Sequence, residues 1–102
     1  MSNPTPSPIR YVVFHRPGPK WQDGVREHVQ HYLKFHEQRK LELGGPFLLQ
    51  DAGGMMVATK NVLQEELETF AAADPAVRSG LLIYEIRPWL TAMKRHDGES
   101  NR

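Results

Sequence analysis

Three of the chain's five histidines fall in one stretch, Val25 to Lys40 (VREHVQHYLKFHEQRK). Histidine is the side chain that gains and loses a proton closest to neutral pH, so this stretch is where proton transfer or metal ligation is looked for first. Val25, Val29, Tyr32, Leu33 and His36 recur at the spacing of one helical face. At about 100° per residue, that apolar stripe centres near Val29 and His36. His28 then lies on the seam of the stripe, beside Phe35, and His31 lies further round, towards solvent. A group on a seam is half-desolvated yet reachable by a small molecule, which makes His28 the candidate reacting group. His36, in mid-stripe, reads as a core histidine. His28 and His31 are one helical turn apart and so able to share a metal, but their directions diverge and no third ligand is spaced to complete the set. No metal and no cofactor are expected.

The elements that must position His28 follow from the rest of the chain. At 102 residues it makes one domain. Thirteen Lys and Arg against twelve Asp and Glu leave no basic block for nucleic acid or an anionic membrane surface. The absence of cysteine excludes disulfides and thiolate chemistry and suits a cytoplasmic protein. No apolar run reaches membrane-spanning length, and the N-terminus lacks the pattern of a signal peptide. Residues 1–8, with three prolines, read as a disordered lead-in, 9–93 as the single domain and 94–102 as a polar tail.

Ile9 to His15 has strand composition with apolar residues on both faces, ended by Pro17-Gly18-Pro19. Asp23 is placed to cap the histidine-bearing helix. Leu41 to Leu43 opens a second strand that Gly44-Gly45-Pro46 interrupts and Phe47 to Leu49 continues. Gln50 to Gly54 is a turn, and Met55 to Thr59 a third strand. Asn61, with Gln64 in the capping-box position, starts a second helix running to about Ala73. Asp74-Pro75 stops it and caps a short extra turn to Ser79. Leu81 to Arg87 is the last strand, closed by Pro88.

The order strand, helix, strand, strand, helix, strand predicts an α+β domain, a ferredoxin-like βαββαβ subunit whose antiparallel sheet carries both helices on one face. The other face is apolar as well, which predicts a homodimer packed through the sheet face. Met55 and Met56 read as core and interface filler, and Pro88-Trp89 as an anchor against the partner.

Candidate substrate contacts flank this frame. His15, Arg16 and Lys20 crowd the loop after the first strand, either as a clamp for an anionic substrate or as a basic loop in water. Gly44-Gly45-Pro46 has no helix N-terminus behind it and so is no phosphate loop. Its role is backbone shape, with Gly45 leaving room for a ligand. Tyr84 and Glu85 alternate across the last strand, so one of them faces the helices.

The segments HVQHYLKFHEQRKLELGGPF, GGMMVA and FAAADPAVRSGLLIYEIRPW together resemble the YCII-related domain family over roughly Tyr11 to Met93. The resemblance implies a dimeric α+β barrel of ferredoxin-like subunits. It also implies a His–Asp dyad in a pocket, its histidine at His28 and its aspartate at Asp74. A carboxylate holding one imidazole nitrogen orients the ring and raises its basicity, as general acid–base work requires. The plainer alternative leaves Asp74 a helix cap and His28 an edge residue. The expected function is a small cofactor-independent enzyme moving a proton on a small organic ligand, in elimination, isomerisation or hydrolysis. A non-catalytic ligand-binding or accessory domain is the alternative, with haem or oxygen chemistry resting on fold analogy alone.

Overall fold

β-branched and aromatic residues dominate Ile9 to Phe14 and leave that stretch little choice but an extended chain. In the computed structural model, which describes residues 8–21, 26–48 and 53–93, it becomes the centre of the sheet. The elements are β1 (Ile9–Pro17), α1 (Arg26–Glu37), β2 (Leu41–Pro46), β3 (Gly54–Ala58), α2 (Gln64–Ala72), α3 (Pro75–Arg78) and β4 (Leu82–Leu90). The four strands form one antiparallel sheet in the order β2-β3-β1-β4. The architecture is α+β, compatible with a ferredoxin-like fold. No helix among the described residues is long and apolar enough to cross a membrane.

The strand alternation sorts the two faces. Val13 and Ala58 meet Tyr32 and Phe35 of α1, and Leu67 and Ala71 of α2, in one buried core. Tyr84 and Ile86 pack against the same core, so Tyr84 is the member of the Tyr84–Glu85 pair that faces the helices, and Glu85 is exposed. Met56 packs on that core too, whereas Met55 lies on the helix-free face beside Phe14 and Trp89.

Several boundaries differ from those the sequence predicts, for identifiable reasons. β1 runs on to Pro17, so His15 and Arg16 belong to the strand and not to a loop. Beyond it, Gly18 sits so close to Gly80 that a Cβ there would meet the Gly80 carbonyl oxygen at 2.4 Å. β2 is not interrupted at Gly44. It continues to Pro46, and its irregularity falls between Leu41 and Leu43, where Glu42 is the extra residue opposite β3. β4 passes through Pro88, opposite Tyr11, because it is an edge strand and one side of it needs no N–H. Asn61 does not cap α2: the helix begins at Gln64 with Leu63 at the N-cap and no side-chain cap bond. Val62 is buried in the core just before it, while Glu65 and Glu66 complement the positive end of the helix. The expected cap at Asp23, the Gln50–Gly54 turn before Gly53, and both chain ends lie outside the described residues.

The largest correction concerns the rotation of α1. Its buried side chains are His28, His31, Tyr32 and Phe35. Val29 and Leu33 are each 50 % exposed, and His36 is exposed, not a core residue. The buried face therefore centres about 100° from the apolar stripe, one residue's worth of turn. His31 does not face solvent. Its Nε2 bonds the Phe70 carbonyl at 2.7 Å, and its ring stacks on Phe70 at 3.9 Å.

Candidate functional site

Asp74 is an N-cap by sequence and by structure, and it does two things at once. Its Oδ1 accepts the Ala76 N–H at 2.9 Å, holding the first turn of α3 with Pro75 at the next position. Its Oδ2 lies 2.5 Å from Nδ1 of His28, 46 positions earlier in the chain. The carboxylate is fully buried, with no accessible surface. Burial opposes its ionisation, but the hydrogen bonds from His28 and from Ala76 outweigh that and hold its pKa below the ordinary value. At neutral pH it is an anion sealed behind the His28 ring.

His15 joins this pair from β1. Its Nε2 stands 4.0 Å from Asp74 Oδ2 and shares a 3.3 Å hydrogen bond with the Tyr32 hydroxyl, while its Nδ1 is buried with no hydrogen-bond partner among the described residues. The His15 and His28 rings meet edge to face with centroids 4.5 Å apart. Burial, with His28 beside it, pushes the His15 pKa down to about 4 against a smaller opposing pull from Asp74. His15 is neutral at physiological pH. Burial likewise raises the Tyr32 phenol, with the Asp74 charge adding to it, so Tyr32 keeps its proton.

Beside these groups lies a cavity of about 530 Å³, lined mainly by α1 and β2. His15, His28 and Tyr32 line it, together with Val29 and Leu33. The stripe that periodicity assigns to the core is thus a cavity wall, and His36 is part of its lining. His28 Nδ1 is taken by Asp74, and its Nε2 has no hydrogen bond among the described residues. The ring therefore connects a buried carboxylate on one side with an accessible space on the other.

The structure brings His28, Asp74 and His15 together and puts Gly45 in the cavity lining. It leaves Arg16 and Tyr84 out of that lining. Arg16 is exposed, on the strand position next to His15 and so on the opposite face of the sheet. Tyr84 donates its hydroxyl to Glu68 at 2.6 Å. Lys20 lays its methylenes against Gly80. Among the described residues, no lysine or arginine lines the cavity. Gly45, opposite Met55 in the ladder, has open space where a Cβ would stand. Gly44 faces the helices opposite Met56, and a Cβ there would meet the Met56 sulfur at 2.3 Å. Tyr32 is the contact that sequence reasoning missed. Its place one turn after His28 was the available signal.

One donor atom each from His15, His28 and Asp74 lies within 4.8 Å of the others, so among the described residues these are the ones placed to hold a metal ion. Two donors about 2.0–2.1 Å from a tetrahedral ion sit roughly 3.3 Å apart. The 2.5 Å His28–Asp74 contact is closer than that and is a hydrogen bond.

No model of a known protein family matches the chain, and a search of curated proteins finds no match to it.

Proposed function

We propose that the protein is a small acid–base enzyme in which His28 moves a proton on an organic substrate held in the cavity, while Asp74 orients the ring. The observation that carries this reading is the position of His28, bonded to a buried carboxylate at Nδ1 and bordering an accessible cavity. An anion at Nδ1 fixes that nitrogen as the one carrying the proton. Nε2 is left as the base, and the carboxylate faces the ring that takes up the proton. Elimination and isomerisation both begin with removal of a C–H proton, and hydrolysis begins with removal of one from water. The His–Asp arrangement that the YCII-related resemblance implies has the same logic. A merely structural pair would be packed shut, whereas here a cavity reaches the ring.

The direct test is exchange of substrate protons with D2O, followed by NMR on a panel of small enolisable ketones and acids. Wild-type protein is expected to accelerate α-proton exchange on some of them, and His28→Ala to return it to the buffer rate. If wild type matches buffer across the panel, the chain is a binding domain and the acid–base reading falls.

The subunit reading is a dimeric α+β barrel joined through the helix-free face. Phe14, Met55 and Trp89 border a hollow of about 250 Å³ there, and Trp89 is 50 % exposed. Sedimentation at micromolar concentration is expected to give a dimer that Trp89→Glu dissociates. A wild-type monomer would contradict it.

A further inference from the structure

We propose that the cavity beside His28 takes an uncharged, largely apolar molecule that offers one hydrogen-bonding group to the His28 ring, and that it rejects phosphorylated and carboxylated ones. This rests on the reading of His28 as the reacting group and adds the class of substrate. The size is that of a small-molecule site, for which about 300–1,000 Å³ is usual. Its walls are aliphatic: Val29 and Leu33 from α1, Leu41 and Leu43 from β2, Met56 from β3 and Leu82 from β4.

The polar groups beside Asp74 are mostly spoken for. Tyr32 and His15 Nε2 bond each other, and His28 Nδ1 bonds Asp74. His15 Nδ1 is buried with no hydrogen-bond partner among the described residues and has no surface to offer a ligand. What this group presents to a ligand is the remaining edge of His28.

Charge decides the rest. Among the described residues, none that lines the cavity is lysine or arginine. Arg16 and Lys20, which the sequence offers as an anion clamp, are turned elsewhere. Two carboxylates are close by: Asp74 directly behind His28, and Glu42 in the lining, 3.5 Å from Arg10. His15 adds no positive charge, because burial keeps it neutral. His36, the third histidine of the lining, is exposed. An anion entering here would give up water for aliphatic walls and find no lysine or arginine in return. A neutral molecule gives up little and buries apolar surface against those walls.

The test is NMR titration of the full chain with naphthalene methanol, naphthoate and naphthyl phosphate, which share one ring system and differ in charge. The alcohol is expected to bind and to move the signals of Val29, Leu33, Met56 and His28. Naphthoate is expected to bind at least about tenfold more weakly, and the phosphate more weakly still. Leu33→Glu, at a half-exposed position, should weaken the alcohol by about tenfold or more. His28→Ala should erase the preference for the alcohol over methylnaphthalene. Equal or tighter binding of either anion, or no binding of the alcohol, would overturn the proposal. Selective uptake of the alcohol without any proton exchange would defeat the acid–base reading alone. Exchange confined to anionic substrates would defeat this one alone.

Discussion

Asp74→Asn is expected to cut proton-transfer turnover by about 10²–10⁴-fold, the usual worth of a positioned acid–base group, while leaving the fold largely in place. The reason lies in the division of labour between the two carboxylate oxygens. Oδ1 caps α3 through the Ala76 N–H, and an asparagine carbonyl can keep that bond. Oδ2 faces His28 Nδ1, and the amide nitrogen that then replaces it is a donor, not an acceptor. His28 Nδ1 must become the acceptor, which moves the ring proton to Nε2, on the cavity side. A base is converted into a donor aimed at the substrate. Adding His28→Ala to Asp74→Asn should cost little more, because residues acting as one unit are not additive. Thermal unfolding of Asp74→Asn should show a loss of about 1 kcal/mol, the scale of a weakened cap. Full exchange activity in Asp74→Asn, with the fold intact, would mean that the carboxylate does nothing for the chemistry.

How much of this could be read from the chain depends on whether a residue's role is local. Asp74 is legible because Asp-Pro after an alanine-rich helix is a cap signal whatever surrounds it. The chain order of the elements is legible for the same reason, since proline or glycine stands at four of the six junctions between them. The ends of β1 and β4 are not. Pro17 and Pro88 look like stops, and only a neighbour on one side, or an edge on the other, lets a strand run through them. The rotation of α1 misleads for a more instructive reason. Val29, Leu33 and His36 form a real apolar stripe, but periodicity reports which face is apolar and not what covers it. Here that face borders a cavity, and the buried side is built from the aromatic ladder of Tyr32, Phe35 and His31 against Phe70. His15 was legible as a residue near the site but not as a buried one. Its burial follows from the strand outlasting its apparent end by two residues.

The buried, neutral state of His15 predicts a pH dependence of stability that is separate from any activity. In the unfolded chain its imidazole titrates near 6.5, and in the folded protein near 4. Between those values the unfolded state binds the proton that the folded state refuses, so folding stability falls as pH falls across that window. The sign is that of a histidine whose folded pKa is depressed: the loss starts near 6.5 and is complete for this residue by about 4. The gap corresponds to about 3 kcal/mol, a large fraction of the stability of a domain this size. Asp74 contributes a second limb at lower pH. Its folded pKa lies below 3.8, so its stabilisation is present above 3.8 and disappears as pH falls through the folded value. The two limbs do not overlap much, and a substitution separates them. His15→Phe keeps a flat ring against Tyr32 and His28 but has nothing to protonate. Denaturant unfolding from neutral pH to about 4 should therefore give a curve that slopes for wild type and is shallower by about 3 kcal/mol over the window for His15→Phe. Parallel curves for the two proteins would show that His15 takes up its proton in the folded state, and that the group beside His28 and Asp74 is not held neutral by burial.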